Sequence, residues 1–293
     1  MSRPPTFTPP PGVRAHRLVT DRGEFAVLDA EAATARVRGT ALLLPGFTGS
    51  KEDFIVLQPL LAAAGYRTVA VDGRGQHESP GPRDDEAPYA QAELAHDVLA
   101  QARAVADGGP LHLLGHSMGG QVSRAAVLLD ASPFVSLTLM SSGPARIAAS
   151  QQERVTMLRD GLAVITMAEA WDVMQAMEAQ AAGASDLDEG LVDGDDLRRR
   201  WLGTSPAQLI ATGRQLCEEP DRVAELAAVG LPLHVLSGDH DDTWPVELLD
   251  DMAVRLGARR TVVPRADHSP NTDQPEATAR AVAAFWDEVP ASA

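Results

Sequence analysis

The residues from Leu113 to Ala125 read LLGHSMGGQVSRA and set Ser117 between Gly115 and Gly119, in the spacing G-x-S-x-G. An apolar run precedes the serine and a helix-compatible run follows it. Flanking glycines allow a strand-to-helix turn too tight for larger side chains, and such a turn projects the hydroxyl outward. A serine hydroxyl attacks a carbonyl only when a base takes its proton. Imidazole suits that task because it titrates near working pH. Of the eight histidines, only His268 sits in a loop after the last expected strand, in RADHSPNTDQPE. Loops at the carboxyl ends of parallel strands gather on one sheet edge, where Ser117 also lies. His268 is therefore the expected base, and His77, in a loop on the same edge, is the second choice. His112 and His234 fall within strands and are expected to be structural. His116 adjoins the serine and is expected to shape the pocket.

The base needs an acceptor on its other nitrogen, which fixes the tautomer and stabilises the imidazolium. SGDHDDTWP offers Asp239, Asp241 and Asp242 at the end of the penultimate strand, and position alone does not choose among them. Negative charge developing on the substrate oxygen needs donors placed beforehand. The N–H of Phe47, in LLLPGFTGSKEDF, and that of Met118, heading the helix after the serine, are the expected oxyanion pair.

These residues need a frame. Apolar runs at 40–47, 67–75, 111–117, 135–143, 231–239 and 259–266 suit strands buried on both faces. Helices are expected at 54–64, 89–106, 118–129, 245–256 and 275–289, with a hairpin at 14–19 and 24–29. The expected fold is α/β, a mostly parallel central sheet flanked by helices. From 145 to 228 no strand signal occurs. That segment reads as an inserted helical cap between two core parts, 1–144 and 229–293. Met157, Met167, Trp171, Met174 and Met177 are its bulky apolar residues, expected to pack, with the first four also expected to offer an adaptable substrate wall. An acidic run between 186 and 196 reads as a solvated loop.

Composition narrows the partners. The 293 residues carry 41 acids against 25 bases, a net charge of −16, which disfavours nucleic acid and anionic lipid. No run approaches the ~20 apolar residues of a membrane helix, and none resembles a signal peptide, so membrane insertion is not expected. Cys217 is the only cysteine, which fits a reducing, cytoplasmic setting. The proline-rich start, MSRPPTFTPPPGVR, is expected to be a poorly ordered lead-in. No metal site or cofactor is expected.

Together the motifs resemble the α/β-hydrolase family. GHSMGG is similar to its nucleophile elbow, PGFTGSKEDF to its oxyanion loop, and VAVDGRGQHESPGP to its Asp-x-Arg-Gly loop. GDHDDTWP resembles its acid loop and DHSPNTDQPE its histidine loop, in the family's order of serine, aspartate, histidine. In that family the acid follows the loop glycine by three positions and precedes a proline by four; counting from Gly238 and from Pro245, both rules select Asp241. The resemblance spans about 40–286. It departs at Pro45-Gly46, where the family often has His-Gly, and at His77, where it often has glycine. It implies a cofactor-independent serine hydrolase cleaving an ester or related acyl bond of a small to medium apolar substrate, with Ser117, His268 and Asp241 as the triad. It also admits a thioesterase, a lactonase, a cofactor-free haloperoxidase, a carbon–carbon bond hydrolase, or a proline-type aminopeptidase using cap acids such as Glu169, Glu178, Glu218 or Glu219. A non-catalytic ligand-binding protein of the same fold is the reading from another class.

Overall fold

The computed structural model describes residues 2–182 and 194–290, so most of the expected acidic loop lies outside the described residues. Eight strands form one sheet in the order β1-β2-β4-β3-β5-β6-β7-β8. β1 (Val13–Thr20) and β2 (Gly23–Ala30) make an antiparallel hairpin at one edge. β3 (Gly39–Leu44), β4 (Tyr66–Val71), β5 (Leu111–His116), β6 (Ser136–Met140), β7 (Leu233–Gly238) and β8 (Arg259–Val263) run parallel to one another.

The continuous apolar runs are explained by burial on both faces. Successive side chains point to opposite sides of a strand. Leu42, Leu113, Leu139 and Val235 join one cluster, with α2 (Gln91–Val105), α3 (Met118–Leu129) and α9 (Val246–Leu256). Their neighbours Ala41, Leu43, Leu114, Met140 and Leu236 join the other, with α1 (Leu57–Ala63) and α10 (Pro275–Glu288). The strands end earlier than the apolar runs do, because Pro45–Phe47, Asp72–Gly75 and Ser141–Gly143 leave the sheet to build loops at its carboxyl edge. The helix expected from 54 splits into a single tight turn, Lys51–Phe54, and then α1.

Between β6 and β7 lie α4 (Ala149–Leu162), α5 (Met167–Ala182), α6 (Gly194–Gly203), α7 (Pro206–Glu218) and the short α8 (Val223–Ala227). Leu162, Met167, Trp171, Leu197, Trp201 and Leu209 form a cluster of their own here. Ala207, Ala211 and Leu216 of α7 and Val223 and Leu226 of α8 pack instead with the core below.

The proline-rich start is held in place, contrary to expectation. Ser2 Oγ donates to Asp53 Oδ2 at 2.7 Å, and Arg200 of α6 donates to the Ser2 carbonyl. Phe7 packs on the α4–α6 cluster with the Arg200 guanidinium 5.6 Å from its ring. Proline content reports the stiffness of the segment, not partners nearly 200 residues away.

Candidate active site

β5 stops at His116 and α3 starts at Met118, leaving Ser117 alone to make the turn. Its backbone is left-handed, at φ 55° and ψ −121°, a strained conformation for a side-chain-bearing residue. A Cβ at Gly115 would lie 2.3 Å from the Gly119 carbonyl oxygen, and one at Gly119 would lie 2.4 Å from that of Leu44. The flanking glycines are thus required by close backbone approach. Serine is a preferred N-cap, yet Ser117 makes no side-chain cap bond to α3. Its Oγ lies 3.0 Å from His268 Nε2.

His268 comes from the loop after β8. Its Nδ1 faces Asp241 Oδ1 at 3.0 Å and Oδ2 at 2.9 Å. Asp241 is fully buried as a side chain, and its Oδ1 also accepts the N–H groups of Thr243 (2.8 Å) and Trp244 (3.1 Å). Backbone donors therefore fix the carboxylate's rotation. Asp239 accepts the Arg265 N–H instead, and Asp242 is exposed beside His240. The structure brings Ser117, His268 and Asp241 into one hydrogen-bonded chain and leaves the other two aspartates out of it.

The expected oxyanion donors flank the serine. A Cβ at Gly46 would lie 3.2 Å from Ser117 Cβ, which places the Gly46–Phe47 peptide against the serine. Met118 is the first residue of α3, so its N–H has no intrahelical acceptor. Neither Phe47 N–H nor Met118 N–H is bonded to another group among the described residues.

Two other histidines sit near this edge. His116 does not face the pocket: it is buried, and its Nε2 meets the His268 carbonyl at 2.8 Å. Burial, reinforced by the neighbouring His268, pulls it down to about 4, so at neutral pH the ring is uncharged and donates from Nε2. It supports the histidine loop from behind. His77 takes φ 41°, a left-handed value that glycine adopts freely and that histidine tolerates better than most residues. The loop keeps a backbone suited to the glycine it lacks. Its ring meets Phe7 edge-on at 6.1 Å, burial pulls it down to about 4, and it takes no part in the Ser117 chain.

Sequence reading missed the scaffold under the loop after β3. Lys51 is buried, with Nζ at 2.7 Å from Glu52, 2.9 Å from Asp72 and 2.8 Å from Glu78. Burial opposes its charge, but the carboxylates of Asp72 and Glu52 outweigh it and hold the ammonium above its ordinary range. Burial pushes Asp72 upward, and the Lys51 ammonium pulls against that shift and favours its charged form. Glu52, His77 and Glu78 bring possible ligand atoms within 4.8 Å of one another, but the Lys51 ammonium already supplies the cation there. Arg200 pairs with Asp53 at 2.9 Å, both buried, and Asn271 Nδ2 donates to the Asp53 carbonyl at 2.7 Å. Asp53 thereby ties the loop after β3 to α6 and to the loop that carries His268. Three consecutive charged residues, Lys51-Glu52-Asp53, set between a glycine-rich turn and an apolar helix were the available signal.

An apolar pocket of about 420 Å³ opens beside Phe47, walled by Val155, Leu158, Ile165, Met174 and Trp201. Met157 lines it too. Met167 and Trp171 do not; they are buried in the α4–α6 cluster, where the Met167 carbonyl accepts Trp201 Nε1–H at 2.6 Å. Helical spacing placed all four on helices between β6 and β7 but did not say which face each would take. Glu219 is buried against Arg124 at 2.7 Å, and Glu169 caps the start of α5 through Thr166, so both acids already have partners.

Residues 41–281 match the model of the Alpha/beta hydrolase family. The chain is 30% identical over 230 residues to a pimeloyl-[acyl-carrier protein] methyl ester esterase of Aeromonas hydrophila, covering 74% of this chain and 84% of that one. It is 28% identical over 278 residues to a 2-(acetamidomethylene)succinate hydrolase of Mesorhizobium japonicum, covering 86% and 90%. In fold it is similar to an esterase from Exiguobacterium antarcticum, with a TM-score of 0.75, 19% identity, and coverage of 94% and 100%. With the elbow, the sheet order and these relatives in agreement, the chain belongs to the alpha/beta hydrolase family.

Proposed function

We propose that this protein is a serine hydrolase that cleaves a carboxylic ester, or a related acyl bond, through an acyl-enzyme. Ser117 Oγ attacks the acyl carbonyl while His268 Nε2 takes its proton. Asp241 holds the His268 Nδ1–H and stabilises the imidazolium. The amides of Phe47 and Met118 bind the oxyanion. The imidazolium then protonates the leaving alcohol. Water, deprotonated by the same imidazole, attacks the acyl-enzyme and releases the acid and free Ser117. One observation carries the reading: the unbroken bond chain from Ser117 Oγ through His268 to Asp241, at 3.0 and 2.9 Å.

Residues 145–228 are proposed as the cap, and the 420 Å³ pocket beside Phe47 as the site of the acyl group. Met157 and Met174 supply deformable walls. Among the described residues lining it, Arg154 is the one charged side chain, and this favours a second reading of the substrate. The substrate then carries a carboxylate beside the bond to be cleaved, as the name of the succinate hydrolase relative states for its own. A small-molecule substrate and a cytoplasmic setting remain part of the proposal; among the described residues no helix is long and apolar enough to cross a membrane.

A series of nitrophenyl esters of rising acyl length, with and without a terminal carboxylate, tests both readings. Activity that peaks at medium length and disappears in Ser117→Ala supports the proposal. A carboxylate preference lost in Arg154→Ala supports the second reading. Equal turnover by Ser117→Ala rejects the mechanism.

A further inference from the structure

The N–H of Phe47 is only as well aimed as the peptide that carries it. In a trans peptide the C=O and the N–H share a plane and point in opposite directions. Holding the Gly46 carbonyl therefore holds the Phe47 N–H. That carbonyl accepts the Gly49 N–H at 3.1 Å and Nε2–H of Gln76 at 2.9 Å. The first bond belongs to the loop's own turn. The second reaches across from the loop after β4.

Gln76 is itself held from the other end. Its Oε1 accepts the Gly73 N–H at 2.9 Å, and its main-chain N–H donates to the Gly73 carbonyl, also at 2.9 Å. A Cβ at position 73 would lie 2.7 Å from that Oε1, so the side chain folds over the one residue type that leaves it room. The amide cannot be reversed. Reversal would set Oε1 against the Gly46 oxygen and the Nε2 hydrogens against the Gly73 N–H. Gln76 is 3% exposed and, with Pro45, Met118 and Gly119, borders a cavity of about 40 Å³ beneath the elbow. It is not among the residues lining the apolar pocket beside Phe47.

We infer that Gln76 is a positioning residue for the oxyanion hole: its side-chain amide clamps the Gly46 carbonyl and so aims the Phe47 N–H at the oxygen where charge develops. This rests on the reading of Phe47 and Met118 as the oxyanion donors. A glutamine that merely satisfied a buried carbonyl would affect stability alone. One that aims a donor affects the transition state and leaves ground-state binding nearly untouched.

Gln76→Leu removes both side-chain bonds at similar volume, and Gln76→Met does so with an unbranched chain. Both are compared with wild type and with Ser117→Ala, on a nitrophenyl ester and on a boronic acid that forms a tetrahedral anionic adduct with serine. Outright loss of one oxyanion donor lowers kcat about 10²- to 10³-fold, so misaiming one is expected to lower it about 10- to 100-fold. KM stays within about two-fold, and boronate affinity falls by the same factor as kcat/KM. Unchanged kcat in a folded variant, or a lower kcat with unchanged boronate affinity, overturns the inference. So does failure of both variants to fold, since positioning predicts a folded, slow enzyme. An active Ser117→Ala variant is a different failure: it removes the triad reading, and this inference with it.

Discussion

Asp241→Asn separates the tautomer of His268 from the rest of the site. Oδ1 of Asp241 accepts two backbone N–H groups, from Thr243 and Trp244, so an asparagine must keep its oxygen there. Its amide nitrogen then takes the place of Oδ2, 2.9 Å from His268 Nδ1. The retained oxygen, 3.0 Å from Nδ1, is already taken by two backbone donors, so the amide N–H facing Nδ1 favours that nitrogen as the acceptor and the ring proton moves to Nε2. Nε2 lies 3.0 Å from Ser117 Oγ, and the imidazole then donates to the hydroxyl it should deprotonate. Wrong-tautomer substitutions of this kind lower kcat about 10⁴-fold in such triads, or roughly 5 kcal/mol at 1.36 kcal/mol per decade. Both backbone bonds survive, so the melting temperature should shift by only a few degrees. The assay is initial-rate hydrolysis of a nitrophenyl ester near pH 7.5, beside Asp239→Asn and Asp242→Asn. Those two aspartates serve a loop N–H and an exposed histidine, so each change should lower kcat less than ten-fold. If Asp239→Asn is the most damaging, or Asp241→Asn keeps a tenth of wild-type kcat, the assignment is wrong.

Three more expectations concern stability. Gly119→Ala would set a methyl group 2.4 Å from the Leu44 oxygen and 2.6 Å from that of Pro45; overpacking of this kind destabilises by about 1–3 kcal/mol, and a wild-type melting temperature would refute it. Arg200→Leu leaves Asp53 buried without its cation and should lower urea stability by about 3–5 kcal/mol, most of it recovered by adding Asp53→Leu; a single change worth under about 1 kcal/mol would count against the clamp. Burial holds His112 and His116 at about 4 and His234 at about 3, below the ordinary 6.5. The unfolded chain therefore takes up these protons first, and stability present above pH 6.5 should be lost as pH falls toward 4, with His234→Gln reducing the slope by about 1.4 kcal/mol per pH unit. An unaltered slope in that variant would refute its buried, neutral state.

Much of the frame was legible because the physics behind it is local. Strands buried on both faces need unbroken apolar runs, and the β5 and β7 runs read that way directly. α3 runs over the expected 118–129 because its start is fixed by the elbow and its apolar content continues to Leu129. Ser117 and His268 could be ranked from their places after strands, whereas Asp241 needed the family's spacing in addition to position. What escaped depends on distant partners. Ser2 and Phe7 are ordered by Arg200 of α6, nearly 200 residues away, and no property of the proline-rich segment signals that. Met167 and Trp171 share helical spacing with residues that face the pocket, and packing against Trp201 turned them inward. Gln76 stands in a loop whose motif residues drew attention to its neighbours, and its role depends on which carbonyl lies opposite.

The most direct measurement is covalent labelling with a fluorophosphonate, followed by digestion and mass spectrometry of the modified peptide. The account predicts one adduct, on Ser117, formed in step with the loss of esterase activity and absent from Ser117→Ala. Full activity after exhaustive labelling, or an adduct on another serine that tracks the loss of activity, would contradict it.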